Sequence, residues 1–293
     1  MCLLFESLIK LILIYGSDVW GMNKHCISEL DKMYLWFIRN MLKVKRTTSN
    51  QIVFGECGVY PPSVSCHVNV LCFYNRVTRM SDNSIVKRVF TMLYKMHEIG
   101  FNNWVSKVHE LARSYKIHEN LSDANFKLKC QGVIKDAFKT KWINELNDIK
   151  RNPILRLYKT FKTDFRMEPY LLLVKNYRYR IALTKLRASS HTLQIERGRY
   201  TRPKTLECDR LCAACNLIEN EIHFVTNCTI NSVLRCELYG KIRAKNYNFD
   251  TLNANDKCIY LLKSEDVQVL TWLGKFVYKS FIMRDQFIGS LSA

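Results

Sequence analysis

Glycine and proline are scarce in this 293-residue sequence, at 10 and 5 residues, which argues against many short strands joined by tight turns and for long helices. It has no glycine-rich phosphate loop, which excludes P-loop nucleotide chemistry. No apolar run approaches the ~20 residues of a bilayer span. The apolar start, from Cys2 to Phe5, is interrupted by Glu6 and Lys10 and leads to no small-residue cleavage site, unlike a signal peptide. A soluble chain without a membrane partner is expected. Internal repeats and low-complexity linkers are also lacking. Acidic residues are the remaining shortage: 26 Asp plus Glu face 45 Lys plus Arg, a formal charge of +19 that points to a polyanionic partner.

What is present fits a folded, mainly α protein, an irregular multi-helix assembly. Ile27, Leu30, Tyr34, Phe37, Met41 and Val44 recur at three- and four-residue spacing, the stripe of a core-facing helix over 24–44 with Asn23 as its cap. Pro61 and Pro62 suit the first turn of a second helix, in which Val64, Val68 and Leu71, with Cys66, Val70 and Phe73, bury much of the circumference. Helical patterns also cover 83–99, 102–116, 132–150 and 169–188. Near the end, Ser264 is positioned to cap a helix carrying Glu265 and Asp266 in its first turn and Val267, Leu270, Leu273 and Val277 on its buried side. His97, His109 and His118 are read as lying within helical patterns without a matching nucleophile arrangement. They are read as structural, and no catalytic residue is assigned.

Twelve cysteines in a chain with 48% apolar residues need not be disulfide staples, and a reducing intracellular setting, nuclear or cytoplasmic, fits them better. Four residues form a pattern of their own. Cys212, Cys215, His223 and Cys228 give C-x2-C-x7-H-x4-C, in which a tight turn aims two sulfurs at one point and a second pair approaches from beyond a short loop. Four protein ligands satisfy tetrahedral Zn2+ and leave no open position, so the expected site is a structural, knuckle-like zinc module near the C-terminus. Cys208 and Cys236 flank it and are alternative ligands. Phe224 is either packing for the loop or a stacking platform for a base.

Charge is concentrated just upstream. Between Lys175 and Lys204 lie Arg178, Arg180, Lys185, Arg187, Arg197, Arg199 and Arg202, nine basic residues with the ends included, against the single acid Glu196. Tyr177, Tyr179 and Tyr200 are interleaved, flat faces for unstacked bases beside cations for phosphates. Arg178 with Lys185, and Arg180 with Arg187, are seven apart and recur on one side of a helix. These nine residues are the candidate nucleic-acid contacts, with RNA or DNA as partner and no small-molecule substrate expected.

Several segments taken in order resemble the C-terminal region of LINE-type, non-LTR retrotransposon polyproteins. Residues 13–21, LIYGSDVWG, are similar to the segment after the polymerase core, in the thumb, and residues 54–61, FGECGVYP, to the short Gly-Glu-x-Gly element that follows. TKLRASSH at 184–191 and IERGRY at 195–200 resemble the basic entry to the family's Cys-Cys-His-Cys motif, which Cys212 to Cys228 match. ENEIHF at 219–224 sits where an acidic lead-in to the histidine is expected, and YLLKSED at 260–266 resembles the start of a closing helix.

The resemblance implies a thumb-like segment over 1–80, a helical connector over 81–174, the basic segment with its zinc module over 175–240 and a helical closure over 241–293. It further implies a region that grips template RNA or target DNA beside a polymerase core. The chain departs from the family in having no adjacent Asp-Asp pair, and two-metal phosphoryl chemistry needs such carboxylates. The family's endonuclease, fingers and palm are expected to be missing as well. The chain is therefore not expected to polymerise or cut by itself. It is expected to be a binding region, with an accessory role beside an intact RNA-directed DNA polymerase, or an inert relic of an element, as alternatives.

Overall fold

The structure, a computed structural model, describes residues 5–117, 125–148 and 150–291; His118 lies outside them. It is mainly α, with no strand among the described residues and two isolated bridges, Cys57 with Met167 and Leu211 with Ile218. No described helix is long and apolar enough to cross a membrane. The chain forms two compact units, Met1–Ile38 with Tyr60–Glu145, and Arg39–Val59 with Leu146–Ala293.

In the first unit, helix α1 (Lys24–Leu42) starts where Asn23 Oδ1 accepts the amides of His25 and Cys26 at 3.0 and 3.2 Å. Its buried residues there are Leu30, Tyr34, Leu35 and Ile38, while Ile27 and Phe37 are half-buried. After α2 (Asn50–Cys57), which belongs to the second unit, α3 (Pro62–Thr78) opens on Pro62, whose missing N–H forfeits no intrahelical bond at that position. Val64, Cys66, Val68, Val70, Leu71, Tyr74 and Val77 enclose most of its circumference, so α3 is the centre of the core. Helices α4 (Ile85–Glu98), α5 (Trp104–Ser114) and α6 (Phe126–Asn147) add Phe90, Val105, Val108, Cys130 and Ile134. Of the histidines singled out, the two among the described residues hydrogen-bond within this unit: His97 Nδ1 meets Ser106 Oγ and His109 Nε2 meets the Tyr74 hydroxyl, both at 2.9 Å.

The second unit contains α2, α7 (Leu155–Phe161), α8 (Tyr177–Arg187), α9 (Glu221–Thr226), α10 (Ser232–Arg243), α11 (Ala254–Lys263) and α12 (Val267–Leu291). The helix expected over 169–188 is interrupted. A short turn, Tyr170–Leu173, ends in extended backbone at Val174, and Asn176 Oδ1 then accepts the amides of Arg178 and Tyr179 at 3.0 and 3.3 Å to start α8. An asparagine side chain competing for backbone amides splits what apolar spacing alone joins. The last helix is also capped differently from expectation. Asp266, not Ser264, accepts the Gln268 and Val269 amides, at 2.7 and 3.1 Å, and Ser264 Oγ accepts the Asp266 amide. Leu270, Leu273 and Val277 are buried as expected, whereas Val267 is exposed.

Helices α8 and α12 approach closely at Gly274, where an added Cβ would lie 3.1 Å from the Tyr179 Cβ and 3.2 Å from its carbonyl oxygen. Farther along α8, Arg187 is enclosed. Its Nε and Nη2 donate to the two carboxylate oxygens of Glu56 at 2.9 and 3.0 Å, and Nη1 donates to the Leu262 carbonyl. Glu168 also pairs with it, and its guanidinium lies 4.5 Å from the Phe161 ring centroid.

Candidate metal centre

The local fold brings the predicted ligands to one point. Leu211 and Ile218 form an antiparallel bridge, the Cys212 amide donates to the Leu217 carbonyl at 2.7 Å, and Asn216 takes the left-handed conformation, φ 54°, that turns the chain between them. This loop carries Cys212 and Cys215. Helix α9 supplies His223, its first turn held by Asn220 Oδ1 accepting the His223 amide at 2.8 Å. The chain then folds back so that the Cys228 amide donates to the His223 carbonyl at 2.8 Å. The ligand atoms of Cys212, Cys215, His223 and Cys228 all lie within 4.8 Å of one another, a cluster that could hold a metal ion. Cys208 and Cys236, the alternative ligands, are exposed and outside it.

The donor set fits a cation on two independent grounds. His223 Nε2 is buried without a hydrogen-bond partner, an atom that a ligating role would satisfy. The sulfurs are also approached by backbone amides: those of Ala214 and Cys215 at Cys212, Thr229 at Cys215 and Ile230 at Cys228. Burial pushes the Cys228 thiol up to about 12 and raises that of Cys212. At Cys215 burial is outweighed by the Thr229 hydroxyl and amide, which hold its thiol below the ordinary value. Burial lowers His223, favouring the neutral imidazole that ligates. Three clustered thiolates thus need a cation to become stable, and binding one releases protons.

No family model matches the chain, and neither a curated protein nor a solved structure matches it.

Around the cluster, buried acids tie the loop to the rest of the unit. Glu219 takes two hydrogen bonds from Arg284 of α12, at 2.6 and 2.7 Å, and accepts the Gln194 amide at 2.7 Å. Glu221 accepts from Arg156, Ser189 and His191. The acidic lead-in to the histidine is therefore a pair of anchors, a role that only their distant arginine partners reveal. Arg235 donates to the Cys228 carbonyl at 2.8 Å and, with Arg284, brings positive charge beside the thiols. Phe224 is 1% exposed and stacks on Phe281 at 4.7 Å, so it packs the module and offers no face to a base.

The nine basic residues separate. Lys175, Arg178, Arg197, Arg202 and Lys204 are exposed, as are Tyr177 and Tyr200. Lys185 is partly exposed. Arg180 donates to the Val174 carbonyl at 2.9 Å, and Arg199 pairs with the buried Glu196 at 3.2 Å. Arg187 is a correction: at 2% exposure and bonded to Glu56, it cannot reach a phosphate. The seven-residue spacing of Arg180 and Arg187 therefore does not mark a binding face. Its neighbours Leu183, Leu186 and Ala188 are buried with it, but nothing in the local sequence separates Arg187 from the exposed cations around it.

Proposed function

We propose that the chain binds single-stranded nucleic acid, with Zn2+ in the Cys212, Cys215, His223 and Cys228 cluster fixing the shape of the segment that carries the exposed cations. In this reading it is the C-terminal region of a LINE-type reverse transcriptase, a binding part without catalytic residues, which works beside a polymerase core. The observation that carries the proposal is the convergence of three thiols and one unpartnered imidazole behind a stretch whose Arg197, Arg202 and Lys204 face solvent. Tetrahedral zinc with ~2.3 Å bonds to sulfur sets its sulfurs about 3.8 Å apart. The Cys212 and Cys228 sulfurs are 3.9 Å apart. Such a site is structural, and its binding free energy becomes folding free energy for the loop.

Metal analysis of the purified chain tests the first half: one zinc per chain, lost in Cys215→Ser, is expected. Oligonucleotide binding at two salt concentrations tests the second. The Arg197→Ala, Arg202→Ala, Lys204→Ala variant should weaken binding to single strands and flatten the salt dependence by a slope of about two, at ~0.7 for each phosphate left unneutralised. No binding of the parent to single strands would reject nucleic acid as the partner, binding unchanged in that variant would reject these three cations as its contacts, and equal displacement by heparin would mark a general polyanion binder.

A further inference from the structure

A cavity of about 540 Å³ lies wholly within the second unit, between the chain that follows α1 and helices α8 and α12. Pockets that seat small organic ligands span roughly 300–1,000 Å³. Lys43, Lys185 and Arg178 line it, with Tyr278 and Phe281 as an aromatic wall and His191 at its buried side. We propose that this cavity seats a single nucleotide, its phosphate among Lys43, Lys185 and Arg178 and its base against Tyr278. The inference rests on the reading of the chain as a single-strand binder and names the place where one residue of the strand docks.

Three observations carry it. First, His191 is 2% exposed, its Nε2 meets the Glu221 carboxylate at 3.1 Å, and its Nδ1 is buried without a hydrogen-bond partner. Glu221 thereby fixes which nitrogen is engaged and holds the ring rigid beside the cavity, with the other nitrogen unanswered by the protein. Second, the fold does not use the charges of Lys43 and Lys185: neither pairs with a carboxylate among the described residues. The one lining carboxylate, Asp285, is already approached by Arg284 at 3.3 Å. Lys43 also occupies a left-handed position, φ 55°, at the end of α1, where glycine is the usual residue. Third, lysines crowd one side of the cavity. Lys45, which donates to the His191 carbonyl at 2.6 Å, has its pKa lowered by burial despite the nearby Glu196, and Lys185 adds repulsion. An anion placed between these lysines relieves that repulsion.

Uridine 5′-monophosphate, uridine and inorganic phosphate, each titrated calorimetrically into the full zinc-loaded chain, provide the test. Two variants accompany the parent: Lys43→Ala with Lys185→Ala removes the cations that would hold the phosphate, and Ile282→Trp fills the cavity while keeping them. Zinc content and circular dichroism confirm that both fold. The expected result is that the monophosphate binds more tightly than either half alone and that each variant weakens it about tenfold, roughly 1.4 kcal/mol. No binding to the parent, binding to both variants as tight as to the parent, or phosphate binding as tightly as the monophosphate would each overturn the proposal. Oligouridine run in parallel separates the two readings. Monophosphate binding without oligouridine binding would sink the proposed function and leave the cavity site standing, and oligouridine binding without monophosphate binding would do the reverse.

Discussion

Helix α3 of the first unit and helix α2 of the second are both nearly enclosed, yet they are enclosed by different means. Around α3 the buried partners are phenylalanine, valine, alanine, cysteine and isoleucine, and any well-shaped apolar neighbour serves. In α2 the buried run Ile52 to Cys57 includes Glu56, whose charge is answered by an arginine 131 residues away. The second unit repeats the device at Glu219 with Arg284 and at Glu221 with Arg156 and His191, and its cluster of three cysteines and a histidine, which could hold a metal ion, follows the same logic. One unit is specified by shape and apolar area, the other by charges and donors that are costly alone and stable only in company.

The largest expected effect comes from breaking such company. Arg187→Ala leaves the Glu56 carboxylate buried and unpaired and should cost about 3–5 kcal/mol in urea unfolding. Pairing it with Glu56→Leu should recover most of that loss, whereas no recovery would mean that packing, not charge, holds α2. In the first unit Ile134→Ala should cost about 2–4 kcal/mol through the cavity it opens. Hydrogen exchange should place that loss in the first unit. A zinc chelator should act the other way round, loosening residues 205–243 while the amides of α3 keep their protection.

Acid sharpens the contrast further. Glu221 is buried, which raises its pKa, but the hydrogen bond and charge of His191 and the charge of Arg156 outweigh burial and hold it down to about 2, from an ordinary 4.5. A depressed carboxylate contributes stability that is fully present above its unfolded value and is lost as pH falls through its folded value. The second unit should therefore weaken between about pH 4.5 and 2, and Glu221→Gln should flatten that limb. An acid limb unchanged in the variant would show that groups other than Glu221 govern it. The smallest effect belongs to an exposed pair, Lys241 with Glu237 at 2.9 Å. Lys241→Ala should leave the urea midpoint almost unchanged, with any small shift vanishing at high salt.

Much of the helical pattern was legible because burial on one side imposes a spacing. Asn23 capping α1, the apolar circumference of α3 and the stripe of α12 all follow from a few consecutive residues. Where a polar side chain near a helix end decides, the reading slipped: Asn176 broke an expected helix, and Asp266 took the cap assigned to Ser264. The Cys212, Cys215, His223 and Cys228 grouping was also readable, since its members lie close along the chain and their spacing limits the geometry. Arg187 was not, because an arginine in a basic stretch looks the same whether its partner is a phosphate or a glutamate far upstream.

By itself the sequence determined a helical chain with a strong positive excess and four side chains suited to one cation, because these properties depend on composition and short-range spacing. Which cations remain exposed, which acids act as anchors and which aromatic rings are sealed inside was decided only by tertiary structure. Burial and pairing are properties of residues that meet from distant parts of the chain, and no local pattern encodes the meeting.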